Sequence, residues 1–140
     1  MKKTLGLFFF AVTFVIQLNG QTLNRTDIIG KWTVIKLNNF TQLPDKRKQT
    51  MEMLRKAFLK SKFEFKADGN FSFDFELEDM KIKDGHWKYN DLTNSYIIQD
   101  WKDKDTAKSV LMEIFTKKEN NRILFWLAES FFTLEMGKEE

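Results

Sequence analysis

Between Lys62 and Glu78 the chain changes sides at almost every residue. Phe63 and Phe65 alternate with Lys62, Glu64 and Lys66; Phe71, Phe73, Phe75 and Leu77 alternate with Ser72, Asp74, Glu76 and Glu78. A period of two marks strands with one dry and one wet face. The turn Ala67-Asp68-Gly69 narrows the pairing further. A two-residue turn at Asp68-Gly69 sets Phe65 opposite Ser72, with the faces in conflict. A three-residue turn with Gly69 in the left-handed conformation adds a bulge and pairs Phe65 with Phe71 and Phe63 with Phe73. The same register sets Lys62 opposite Asp74 on the wet face, a favourable cross-strand pair. A chain carrying this hairpin has to build antiparallel sheet around a core of rings.

The rest of the sequence supplies more strands. Ile28 to Leu37 is an apolar, β-branched run that reads as the first strand, with residues 21–27 polar and loose before it. Gly30 stands two places before Trp32, where Gly permits close backbone approach and the indole can plug a barrel end. Met80 and Ile82 begin a fourth strand whose inward parity switches to Trp87 and Tyr89, so Asp84-Gly85 reads as a bulge or corner. Asp91 to Asn94 turns the chain into a fifth strand, Ser95 to Trp101. Lys102 to Asp105 is a charged loop before a sixth strand, Ala107 to Thr116. Lys118 to Asn121 is the next turn, followed by strands at Arg122–Ala128 and Ser130–Met136.

One helix interrupts this series. From Pro44 to Lys60, Met51, Leu54 and Phe58 fall at helical spacing, and Pro44 and Asp45 suit a first turn. The last three strands are apolar on both faces, so the helix is expected to pack outside them, over Leu111, Phe115, Leu124 and Trp126, rather than across the barrel mouth as a lid. Eight short antiparallel strands with tight turns predict a mainly β fold: an eight-stranded antiparallel meander barrel with one α-helix between strands 1 and 2. A two-sheet sandwich carries much the same signature.

Location comes from the N-terminus. Met1-Lys2-Lys3, an apolar run from Leu5 to Ile16, and a polar stretch after it read as a signal peptide cut after Gly20. This divides the chain into a signal peptide, residues 1–20, and a single domain, residues 21–140. It predicts a secreted protein, periplasmic or extracellular. The cut removes two of the 23 basic residues and none of the 20 acidic ones, leaving a net charge of about +1. Nucleic acid is therefore not an expected partner. With no cysteine in the chain, disulfides and thiolate metal sites are excluded, as is a lipid anchor on Cys.

The motifs resemble a family. Gly30-Lys31-Trp32 is similar to the Gly-x-Trp motif that opens the first strand of lipocalins. Phe65-Lys66-Ala67-Asp68-Gly69-Asn70-Phe71 and a second Gly-x-Trp, Gly85-His86-Trp87, resemble the pattern of small exported bacterial lipocalin-like domain proteins. The resemblance spans roughly residues 27–137. The lipocalin Thr-Asp-Tyr motif is absent, Lys117 to Asn121 standing in its place, and no C-terminal helix is expected after Met136. The resemblance implies a calycin-type barrel with Arg122 as a candidate to stack over the Trp32 end.

Candidate chemistry is sparse. His86 is the only histidine and, beside an inward Trp87, is expected to face solvent, giving neither a metal centre nor a triad. Asp74, Glu76 and Glu78 alternate with inward Phe residues and form a solvated face rather than a glycosidase pair. Asp68-Gly69 and Asp84-Gly85 are turn signals, not a phosphate cradle. The expected function is therefore non-enzymatic, without cofactor, metal or catalytic residues: binding of a small apolar ligand in the barrel interior, lined by Trp32, Val34, Phe63, Phe65, Phe73, Phe75, Trp87 and Tyr89. The alternative is a ligand-free structural or protein-interaction module of the cell envelope, its interior a dry core. Residues 45–66 carry eight basic and three acidic side chains. Weak contact of this basic helix with an anionic envelope surface is a further expectation. The sequence leaves monomer and dimer both open.

Overall fold

A computed structural model of the chain describes residues 21–39, 45–77, 81–107, 109–128, 130 and 132–140. The expected signal peptide, the Pro44 helix start and the Met80 strand start lie outside the described residues. Eight strands form a closed antiparallel barrel in sequence order: β1 (Gly30–Asn39), β2 (Lys62–Phe65), β3 (Asn70–Asp74), β4 (Ile82–Asn90), β5 (Ser95–Asp100), β6 (Val110–Glu119), β7 (Arg122–Leu127) and β8 (Phe132–Lys138). β8 closes on β1, so no sheet edge is left unpaired. One helix, α1 (Asp45–Leu59), lies between β1 and β2. The barrel is the fold that the alternation predicts, and the sandwich is not formed.

The 62–77 hairpin has the predicted register. Phe65 pairs with Phe71, Phe63 with Phe73 and Lys62 with Asp74. Gly69 takes φ +94°, a conformation that suits glycine. Asp68 completes the turn by accepting from the Asn70 backbone N–H at 2.9 Å and from its side chain at 2.9 Å. These bonds hold the Asp68 carboxyl below its ordinary pKa. The wet-face ion pairs differ from expectation. Asp74 pairs with Lys81 at 3.1 Å and Lys62 with Glu139 at 3.6 Å. Lys81, just before β4, and Glu139, just after β8, take these side chains instead.

Bulges set the parity switches. Phe71 faces Gly85 while Phe73 faces Ile82, so β4 carries an extra residue at Lys83–Asp84, where the sequence signals a corner. Gly85 is required there: an added Cβ would lie 2.9 Å from Ile82 Cγ2 and 3.0 Å from the Phe71 carbonyl oxygen. A second bulge, opposite Ile98 and Gln99, makes Leu111 the extra residue of β6. It leaves Val110 exposed while Ile114, four residues on, is fully buried. β6 also runs on to Glu119, because Asn120 and Asn121 both adopt positive φ (50° and 64°) in a two-residue hairpin turn.

The two barrel ends are closed by different segments. At one end residues 21–29 form a strap rather than a loose tail. Leu23 and Ile28 are buried, Leu23 N donates to Thr116 Oγ1 at 3.0 Å, and the Tyr96 hydroxyl donates to the Leu23 carbonyl at 2.6 Å. At the other end sits α1. Its C-terminal turn is ended by Ser61, whose hydroxyl donates to the Phe58 carbonyl at 2.6 Å. Phe58 enters the barrel mouth, with its ring centroid 4.8 Å from Phe75, 5.6 Å from Phe132 and 6.4 Å from Phe73. Ala57 is buried beside it, and Met51 and Leu54 pack against the same core. The apolar face of the helix is the one the spacing predicts, but the expected outer packing is not what forms. On the outside, Phe115 and Trp126 stack on each other at 5.5 Å and 10°, while Leu111 stays exposed. The mouth exposes Phe73, Phe75 and Phe132 if left open, so α1 buries more there.

Candidate binding sites

The predicted interior residues do come together, as a packed core. Trp32, Val34, Phe63, Phe65, Phe73, Phe75 and Trp87 are all buried. Their rings touch one another: Phe63 and Phe73 at 4.6 Å, Phe73 and Phe75 at 5.1 Å, Phe65 and Trp87 at 5.8 Å. Phe71, Tyr96, Phe125, Ile98, Ile114 and Leu134 fill the remaining positions and are fully buried. Phe125 links the set, lying 5.3 Å from Trp32 and 5.9 Å from Phe63. Tyr96 and Phe125 are absent from the predicted lining: Ile97 follows Tyr96 and Trp126 follows Phe125, so apolar side chains stand on both faces and alternation does not mark which ring is inward. Tyr89, at the strap end, is only partly buried. Its hydroxyl donates to Asn94 Oδ1 at 3.0 Å, its ring lies 5.1 Å from that of Tyr96 at a 60° tilt, and the Arg25 guanidinium lies 5.4 Å from its centroid.

Trp32 closes its end as the motif implies. Its indole N–H donates to the Ile28 carbonyl at 2.8 Å. The cation over it is Lys138, with Nζ 5.4 Å from the ring centroid and a 3.0 Å bond to the Asp27 carbonyl. Arg122, the candidate for that place, is half-exposed and pairs with Glu135 at 3.6 Å. Gly30 pairs with Phe65 of β2 and adopts φ +139°, with the Lys138 side chain packed against it. The glycine thus permits a positive φ and the close approach of a lysine side chain.

A groove of 210 Å³ runs between α1 and the barrel rim, lined by Leu37, Asn38, Met51, Glu52, Arg55 and Phe132. A larger cleft of 690 Å³ lies on the outer wall of β3, β4 and β5, lined by Asn70, Asp84, Asp100, Trp101 and Lys102. Sequence reading did not find it. After Asp100 the chain enters a 3-10 turn, Trp101–Asp103, and folds back over the sheet. Lys88 Nζ pins this return by donating to the carbonyls of Lys104 (3.3 Å) and Thr106 (3.4 Å), and Gln99 Nε2 donates to Thr106 at 3.0 Å. The Trp101 indole is held edge-on by His86 at 5.3 Å and by Lys104, whose Nζ lies 5.3 Å from its centroid. It remains 38% exposed, which leaves surface for a partner.

His86 faces outward as expected, yet the returning loop covers it. Its Nδ1 is buried with no hydrogen-bond partner among the described residues. Burial first, then Lys88 and Lys104, hold its pKa below the ordinary histidine value, against a smaller opposing pull from Asp105. The imidazole is therefore neutral near pH 7 and acts as a wall for Trp101. Asp84, Asp100 and Lys102 make no ion pair among the described residues. Among those residues no group of three or more His, Asp or Glu is placed to hold a metal ion.

The cleft's mixed lining of an aromatic plane, an amide, two carboxylates and an ammonium suits recognition by stacking and hydrogen bonding. No protein-family model matches the chain, and neither a curated protein nor a solved structure matches it.

Proposed function

We propose that this is an exported, non-enzymatic lipocalin-like binding protein that recognises its ligand outside the barrel, at the Trp101 cleft. One observation carries this reading. The interior is occupied by the protein's own rings, whereas Trp101 stands exposed over a 690 Å³ cleft with unpaired polar groups. That volume is in the range of small-molecule sites. The barrel then acts as a rigid scaffold, and the exposed Arg55, Lys56 and Lys60 of the helix end favour weak contact with an anionic envelope surface.

A second reading keeps the small apolar ligand in the barrel. It is favoured by the helix end, where Phe58 is a removable plug over Phe73, Phe75 and Phe132. Opening α1 then exposes an apolar mouth. Native mass spectrometry of the protein produced in its own source separates the two. A copurifying adduct lost in Trp101→Ala and kept in Phe58→Ala supports the outer cleft. An adduct lost in Phe58→Ala and kept in Trp101→Ala supports the gated barrel and sinks the cleft.

A further inference from the structure

We infer that the Trp101 cleft binds a neutral saccharide, an assignment that rests on the outer-cleft reading above. Charge is the first argument. Asp84 and Asp100 line the cleft as carboxylates, so a phosphate or another anion meets repulsion. Lys102 lines it too, with Lys88 and Lys104 in the loop anchor behind, so an organic cation gains little from the exposed indole. The lining thus favours a ligand without net charge.

Hydrogen-bond capacity is the second argument. The carboxylates of Asp84 and Asp100 only accept, the Lys102 ammonium only donates, and the Asn70 amide can do both. The Asn70 side chain already donates to Asp68 Oδ2 at 2.9 Å, which fixes the amide and leaves its oxygen toward other donors. A ligand serving all of these must donate and accept at closely spaced points. Hydroxyl groups do this, and a pyranose ring presents several around its rim.

Shape and surface are the third. A pyranose has polar edges and a face of axial C–H bonds, which is apolar and slightly positive. The negative face of an indole complements it. Trp101 is pre-positioned by His86 and Lys104, neither of which lines the cleft, so little side-chain freedom is lost on binding.

The test titrates the full exported domain with the neutral hexasaccharides of glucose (β-1,4 and α-1,4), mannose and N-acetylglucosamine. It reads intrinsic tryptophan fluorescence and calorimetry. Binding of at least one with a Kd below about 1 mM is expected, weakened at least about tenfold by Trp101→Ala. Asp100→Asn serves as a second variant that keeps size and fold, and it is expected to weaken binding less. Binding that persists unchanged in Trp101→Ala overturns the assignment. If no panel member binds while the native adduct still depends on Trp101, the saccharide class fails and the cleft stands. If the adduct depends on Phe58 instead, the cleft and the saccharide fall together.

Discussion

The two ends of the barrel are closed by different chemistry. The strap end is locked by directional bonds: Leu23 to Thr116, Tyr96 to Leu23, Trp32 to Ile28 and Lys138 to Asp27. The helix end is closed by apolar contact, chiefly the Phe58 ring among Phe73, Phe75 and Phe132. Apolar contact tolerates sliding, whereas a buried hydrogen bond is either made or lost at a cost. The helix end is therefore the one that opens at low cost, and the strap end is the anchor of the fold.

The largest effect should come from the anchor. Trp32→Ala is expected to cost about 3–5 kcal/mol, since it removes a fully buried ring and a satisfied N–H. Chemical denaturation measures it, and an unchanged midpoint would take Trp32 out of the core. Phe58→Ala should cost less, about 2–3 kcal/mol, because the helix can settle into the space left. In the same variant, hydrogen exchange should show α1 amides losing protection while those of β1 and β8 keep theirs. Equal loss across the sheet would mean that the ends are not independent.

Tyr96 gives the comparison a pH dependence. Burial first, and then the neighbouring Tyr89, raise its pKa well above 10. The folded state thus holds the phenol proton more tightly than the unfolded chain does. The associated stability is complete below pH 10 and is lost as the pH rises past it. Tyr96→Phe should flatten this alkaline decline and, by leaving the Leu23 carbonyl without its donor, cost about 1–2 kcal/mol at neutral pH. Thermal melts of both proteins between pH 8 and 11 read the difference; parallel curves would contradict the account. Smaller effects are expected at two surface cations, Lys138 first. Lys138→Met should cost about 0.5–1 kcal/mol through the lost cation–π contact. At the helix end Arg55→Ala should stay within about 0.5 kcal/mol. Reversal of that order would undo the ranking of the two ends.

Some of this architecture is written locally. The 62–77 hairpin depends on alternation over a few residues and on one glycine that can take positive φ, so its register was legible. The Asp84-Gly85 corner was legible for the same reason: a parity switch has to absorb one residue somewhere. The inward rings of β2, β3 and β4 were legible within each strand, whereas Tyr96 and Phe125 were not, because apolar neighbours stand on both faces of theirs. The Trp101 cleft was not, because it depends on a loop returning over β4 and β5, and its lining comes from three strands and a turn.

The sequence by itself determined a series of antiparallel strands with one helix after the first, and which side of most of them is dry; that they close into a barrel rather than a two-sheet sandwich is seen only in the structure. Period two and turn chemistry act over a few residues, and no distant partner is needed to read them. Tertiary structure alone decided that α1 plugs the mouth instead of covering the last strands. It alone decided that Lys138 rather than Arg122 covers Trp32, and that residues 21–29 form a strap. Each of these is a choice among several apolar or charged partners that the local pattern permits equally. Barrel closure settles the choice, since it fixes which distant segments arrive side by side and which apolar surface most needs covering.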